Sequence, residues 1–462
     1  MILKFDNRFF GEALKESSKA LEEDCLKNLQ LLIRKECLGK EYTGWMNWPK
    51  QKGFETLKRV KNHINLLGQP YDTVVVIGIG GSYLGTKAIH DALSHRYQEA
   101  LALSGTDLST KPIVYAGHNL SETELIELFD YLDHRNPIVN VISKSGTTTE
   151  PGVGFRVIKN YMEARYGKEL ASRRIIATTD PKKGALRGLA EQNGYHSFDV
   201  PSDVGGRFSV LTAVGMVPLV LAGHNVDALL KGADRFFNSL YTGVQEGTLE
   251  RLEAFDAIRY AAARLAAWNS GFRVEIMAFG EPKLAGLVEW WKQLFGESEG
   301  KDGKGIFPAG LNCTTDLHSL GQYVQDGVRN ILETFLAVEE TRCTGTHRIE
   351  RSLRVPSGNP IDELDYLEGE YISTINKAAL RATEAAHHEG GVPCLNLKLD
   401  TISEDSIGYL LAFMQTACAV SALTLGVNPF DQPGVEAYKI NLFGMMGRPG
   451  FEHARDKMAG LK

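Results

Sequence analysis

Five short segments bring together side chains that can do chemistry. Ser143-Lys144-Ser145-Gly146-Thr147-Thr148-Thr149-Glu150 packs five hydroxyls and one lysine around a glycine at an expected helix start. Such a turn is a compact set of donors for a phosphate, whose oxygens accept several hydrogen bonds at once. The bland alternative is a solvated Ser/Thr turn with an ordinary cap. ATP is disfavoured, because neither a Walker lysine nor a magnesium carboxylate accompanies the segment. Gly78-Ile-Gly-Gly-Ser82-Tyr-Leu-Gly85 offers backbone amides to an anion but satisfies neither nucleotide motif. A dinucleotide fingerprint needs a third glycine where Tyr83 stands, and a Walker A needs Lys-Ser or Lys-Thr where the chain has Thr86-Lys87. A tight turn that only packs a helix on a strand remains open for it.

Asp203-Val-Gly-Gly-Arg207-Phe-Ser209 sets an arginine beside two glycines that let the backbone approach a ligand. Arg207 is a candidate for holding an oxyanion or a phosphate, and equally for a surface ion pair. In Gln293-Leu-Phe-Gly-Glu297-Ser-Glu-Gly-Lys301, Gln293 and Glu297 are four apart and share a helix face, while Gly296 and Gly300 mark the helix end. Glu297 is a candidate general base, with Glu299 as a competitor that spacing does not exclude. His318, in the expected first turn of another helix, reads by itself as a structural histidine or a catalyst. Phe430-Asp-Gln432-Pro-Gly-Val-Glu-Ala-Tyr-Lys439 is a turn leading into a helix that carries a lysine.

These segments must be positioned by a scaffold, and its periodicity is legible. Residues from Phe9 to about Cys37 recur at helical spacing, within a first sixty or so that read as helical. Short β-branched runs begin at Thr73, Pro112, Pro137 and Arg174, separated by helical stretches. This alternation predicts a parallel sheet covered on both faces. Ser121 and Glu124 stand in capping-box spacing. A helix-like stretch from Leu249 to about Asn269 stops at Gly271. A strand is then expected at 272–279, a helix whose face carries Leu284, Leu287, Val288, Trp291, Leu294 and Phe295, and further strands at 331–338 and 394–399. Two α/β sandwiches follow, with ligands expected where strands end and turns begin.

Composition sets the outer limits. A chain of 462 residues exceeds one hydrophobic core. A net charge of -6 argues against nucleic acid as the main partner, so an anionic ligand needs a local cationic pocket. The longest nearly uncharged run, read as Val210–Gly223, is too short to cross a bilayer, and the amino terminus lacks a signal-peptide pattern, which predicts a cytoplasmic chain without a membrane partner. Cys25, Cys37, Cys313, Cys343, Cys394 and Cys418 show no paired spacing and read as buried thiols, not as disulfides or a zinc site.

Taken jointly, the five segments resemble the phosphoglucose isomerase family. The arginine segment and the 430–439 segment fit the two signatures by which that family is recognised, and all five fall in family order between residues 73 and 439. The resemblance implies two sugar-isomerase (SIS) subdomains, each a three-layer αβα sandwich with a mainly parallel sheet, at 66–240 and 241–440. A helical segment at 1–65 precedes them and a tail at 441–462 follows. It implies a cofactor-free and metal-free aldose-ketose isomerase acting on glucose 6-phosphate and fructose 6-phosphate, with an isomerase that also accepts mannose 6-phosphate as an alternative. Carried over, Ser143, Ser145 and Thr148 hold the substrate phosphate with Lys144 and Thr147 nearby, and Ser82 lines the pocket. Glu297 moves the proton between C2 and C1, Gln293 and Gln432 position the sugar, His318 and Lys439 open the ring, and Arg207 steadies the enediolate. In the family the equivalent of His318 comes from the neighbouring subunit, which implies a homodimer. Ser145 stands where many members have threonine and Glu299 where many have asparagine. The chain also lacks the insertions of the longer animal members and is closer to the compact bacterial form. A phosphosugar-binding regulator on the same subdomains would need only the phosphate turn, so the joint presence of Glu297, His318 and Lys439 favours the enzyme.

Overall fold

A computed structural model describes residues 1–106, 108–341, 353–358 and 360–460. Its strands are β1 (Leu3–Asp6), β2 (Thr73–Ile77), β3 (Ile113–Ala116), β4 (Pro137–Ile142), β5 (Ile175–Thr179), β6 (His196–Asp199), β7 (Val274–Phe279), β8 (Phe307–Asn312), β9 (Ile331–Glu340) and β10 (Cys394–Thr401). They form two five-stranded sheets, in the orders β3-β2-β4-β5-β6 and β1-β10-β9-β7-β8. The first is parallel throughout, and the second is parallel except for β1, which runs antiparallel to β10.

The apolar runs explain the first sheet. Every residue of β2, β4 and β5 is buried, as strands covered on both faces require. Alternate side chains supply two cores: Val75, Ile77, Val139 and Val141 meet Phe155, Ile158 and Met162, while Val74, Val76 and Ile138 meet Val60, Val214 and Val217. Fully burying each such side chain is worth roughly 1.5–3 kcal/mol, so these central strands carry much of the stability of the sheet. The helix Glu122–Asp133 starts as its capping box predicts, with the Ser121 hydroxyl accepting the Glu124 N–H at 3.3 Å.

Three strands escape the alternation. β6 is a four-residue edge strand, and β8, Phe-Pro-Ala-Gly-Leu-Asn, carries a proline and a glycine yet pairs in register with β7. β1 precedes the amino-terminal helix Glu12–Arg34 and completes the second sheet through Leu3 opposite Leu399. The stretch from Leu249 is not one helix: two 3-10 turns, Leu249–Arg251 and Glu253–Phe255, flank an extended Leu252 before the helix Asp256–Asn269. Val210–Gly223 is also not the longest uncharged run, since 406–430 is longer. It forms most of the helix Glu404–Thr424, whose residues from Ser406 to Leu423 are all buried against the helices Val226–Glu246 and Asp256–Asn269. Among the described residues this is the one helix long and apolar enough to cross a membrane, and here it is core. Burial on all sides erases the polar face that periodicity depends on. Five cysteines are free and buried, with burial pushing the Cys25 and Cys418 thiols up to about 12; Cys343 lies outside the described residues.

Candidate active site

A cavity of about 720 Å³ opens where β2, β4 and β5 turn into helices. The last turn of the helix Ala285–Glu299 and the segment 432–439 close its other side. Ligand sites in open α/β sheets gather at such carboxyl ends.

One end is hydroxyl-rich. After β4, the Ser143 hydroxyl accepts the Gly146 N–H at 3.0 Å, and the Ser145 hydroxyl accepts the N–H and the hydroxyl of Thr147 at 3.1 and 3.0 Å. Gly146 has φ +71°, and a Cβ there would lie 2.2 Å from the Leu186 nitrogen, so only glycine fits the turn. Thr148 caps the helix Thr149–Arg173 with extended backbone, but its side chain makes no capping bond. Ser143, Ser145, Thr147 and Thr148 all line the cavity beside the first amides of that helix, a ready anion site. Lys144 lines it too, but its Nζ donates to the Ser202 carbonyl at 2.9 Å and lies 5.7 Å from the Tyr42 ring centre. Burial pushes its pKa down.

The glycine turn and the arginine segment meet backbone to backbone. A Cβ on Gly81 would lie 2.1 Å from the Gly206 carbonyl oxygen. That contact puts Ser82 in the cavity wall beside Arg207. Gly80, at φ +55°, leaves room for the Gln293 amide, which a Cβ would meet at 2.9 Å. The turn therefore packs tightly and lines the cavity as well.

The other end is charged and fixed. Arg207 is 3% exposed, which rules out a surface ion pair. Its guanidinium donates to the Ser298 hydroxyl (2.8 Å), Glu297 Oε2 (3.1 Å), Gln432 Oε1 (3.2 Å) and the carbonyls of Pro429 (2.6 Å) and Asp431 (2.8 Å). Burial lowers its pKa against the pull of Glu297, and from so high an ordinary value it stays charged. Gln293 Nε2 stands 3.5 Å from Glu297 Oε1, and the Glu297 side chain remains 33% exposed toward the cavity.

Glu299 is settled by geometry. Two residues on from Glu297 it points about 200° round the helix, away from the cavity. It is 1% exposed and accepts from Arg264 at 2.6 Å, and Arg264 also pairs with the buried Glu275. The competitor carboxylate is thus a structural one. Lys439 lines the cavity with its Nζ on Glu436 at 2.7 Å, and its neighbour Tyr438 donates to Glu150 at 3.1 Å.

His318 is the one expected site residue outside this lining. It ends a 3-10 turn, Thr315–His318, and is exposed; the helix proper, Gly321–Asp326, begins three residues later. Glu150, Asp180, Lys183 and Tyr438 also line the cavity, and motif reasoning passed over all four as site residues. Asp180 and Lys183 follow β5, so the rule that sites sit in strand-to-helix turns was the signal for them.

A carboxylate held against a buried arginine, facing hydroxyl and amide donors across one cavity, suits proton transfer on a small phosphorylated molecule. With two αβα units, this defines a protein of the sugar-isomerase fold class. The phosphoglucose isomerase family matches residues 58–442. The glucose-6-phosphate isomerase of Alkaliphilus metalliredigens is 46% identical over 93% of this chain and 92% of its own. A solved hypothetical protein of Thermus thermophilus superposes with a TM-score of 0.80 at 28% identity, covering 96% of this chain and 100% of that one. The glucose-6-phosphate isomerase structure from Chlamydia trachomatis shares the fold, with a TM-score of 0.73 at 20% identity over 96% of this chain and 89% of that one. The chain belongs to the phosphoglucose isomerase family.

Proposed function

We propose that the chain interconverts glucose 6-phosphate and fructose 6-phosphate, with Glu297 as the base. The observation that carries this is Glu297 beside Arg207 in the same cavity as the 143–148 turn. The turn anchors the phosphate, and binding energy from that unreactive group holds the sugar carbons at the carboxylate. After ring opening, Glu297 takes the proton from C2 of the aldose and electrons shift to O1 to give a cis-enediolate; the O2 hydroxyl proton passes to O1, and the same carboxyl returns its proton to C1 as the C2 carbonyl forms. Arg207 is close enough to Glu297 to stabilise the oxyanion, and Gln293 and Gln432 flank the pair to orient the hydroxyls. Lys439 serves ring opening. Each step conserves the electron count, so the proposed route needs no redox cofactor, and Arg207 supplies the cation that a Lewis acid would otherwise provide at the oxyanion.

Replacing Glu297 with glutamine keeps shape and removes the base, so kcat should fall by about 10²–10⁴ while KM for fructose 6-phosphate changes little. Turnover within a fewfold of wild type would overturn the assignment.

His318 belongs to this scheme only if a second copy brings it. Its exposure and its place outside the lining support a homodimer with His318 shared in trans. Mixing Glu297→Gln with His318→Ala subunits should then restore about one quarter of the activity, because half the dimers are hybrids carrying one intact site. No recovery after verified exchange would exclude sharing. The five described cysteines are free, which fits a reducing compartment, and we place the reaction in the cytoplasm.

A further inference from the structure

We infer that Lys183 supplies the positive charge that neutralises the substrate phosphate, and that Lys144 instead fastens the turn that cradles it. This inference rests on the phosphosugar reading above. A phosphate carries close to two negative charges, whereas the hydroxyls and amides of 143–148 are neutral donors. A cation near them therefore adds affinity that the amides and hydroxyls alone do not supply. Of the cations in the cavity, Arg207 is committed to Glu297 and to the carbonyls of Pro429 and Asp431, and Lys439 is held by Glu436. Lys144 has the right position in sequence but the wrong engagement. Its ammonium is turned to the Ser202 carbonyl and the Tyr42 ring, half-buried, tying the phosphate turn to the segment before Arg207.

Lys183 differs in each respect. It lies in the turn after β5, is exposed, and lines the same cavity. No ion pair or side-chain hydrogen bond engages its ammonium among the described residues. Asp180, the carboxylate nearest in sequence, is folded back onto its own turn, where it accepts the Lys182 and Lys183 N–H groups at 2.9 and 3.0 Å. The backbone just after Lys183 is fixed to the phosphate turn. Ala185 N–H donates to the Ser145 carbonyl at 2.9 Å, and Gly184, at φ +104°, brings its backbone so near that a Cβ would lie 2.8 Å from the same oxygen. Lys183 is thus held next to the hydroxyl cluster by its backbone while its side chain stays free to close on an anion and release it.

The test compares Lys183→Gln, Lys183→Arg and, as a control, Lys182→Gln, whose side chain is outside the lining. Lys183→Gln should raise KM for fructose 6-phosphate and the inhibition constant of inorganic phosphate together by about tenfold, the effect of one partly screened charge-assisted bond, with kcat within about twofold. Lys183→Arg should restore both constants, and Lys182→Gln should change neither. An active Lys183→Gln enzyme with unaltered KM and phosphate inhibition would overturn the inference, as would an equal loss in the control. If the wild-type chain failed to turn over fructose 6-phosphate, the functional reading would fall separately. Protection by inorganic phosphate against thermal unfolding, compared between wild type and Lys183→Gln, would still decide the role of Lys183.

Discussion

The two ends of the cavity are built on opposite principles. At the end assigned to the phosphate, Ser145 and Thr147 hydrogen-bond to each other in an exposed turn, and the buried Ser143 accepts from the same turn. These are weak bonds that a ligand can replace one for one at small net cost. At the carboxylate end, Arg207 is buried with five acceptors, and the residue following Glu297 is one of them. The ion pair with Glu297 and the buried carbonyl bonds cannot be given up without stranding a charge, and only the neutral Gln432 amide, at the cavity face, can yield its place to an oxyanion. In the proposed scheme an anchoring group must bind and let go, so the donors of its turn are interchangeable and its cation, Lys183, is held, among the described residues, only by its backbone. In the same scheme the proposed base, Glu297, and its oxyanion partner, Arg207, must hold one geometry through turnover, which their pinning provides.

If that contrast is right, damage at the two ends should show up in different quantities. Arg207→Ala should be the most severe, lowering kcat by about 10²–10³ through loss of the oxyanion partner and lowering stability by about 3 kcal/mol by stranding buried acceptors. Steady-state kinetics and urea unfolding would check both, and a variant with normal kcat would break the contrast. Glu299→Gln comes next. It leaves Arg264 with only Glu275 and should cost about 3 kcal/mol of stability, read as a lowered Tm, with a smaller loss of kcat because Glu297 itself is untouched. A kcat loss as large as that of a Glu297 variant would mean the two carboxylates share the chemistry. Thr147→Ala should do least, raising KM a fewfold with kcat unchanged, since one neutral donor is worth about 1 kcal/mol.

Much of this arrangement is legible in the sequence, for physical reasons that can be named. The runs at Thr73, Pro137 and Arg174 read as strands because burial on both faces leaves them almost purely apolar, and the glycines at 146 and 205–206 announce turns that reach a ligand. Gln293 and Glu297 were recognisable as a pair by their four-residue spacing. The choice between Glu297 and Glu299 was not, because spacing says that two side chains diverge and not which one faces the cavity. That depends on Arg264, some thirty-five residues earlier in the chain, turning Glu299 inward. β1 was hidden for the same kind of reason, since its partner β10 lies at the far end of the chain. The engagement of Lys144 with Ser202 and Tyr42 is likewise tertiary, which is why a lysine inside the motif drew attention that Lys183, just outside it, did not.

The most direct test of the pinned carboxylate follows the proton itself. In deuterated water, wild-type enzyme at equilibrium with fructose 6-phosphate should carry solvent deuterium into C1 of the ketose and C2 of the aldose, because a carboxylic acid exchanges with solvent between abstraction and return. The Glu297→Gln enzyme, with fructose 6-phosphate bound, should incorporate none on the same timescale. Deuterium entering at the wild-type rate in that variant would contradict the account.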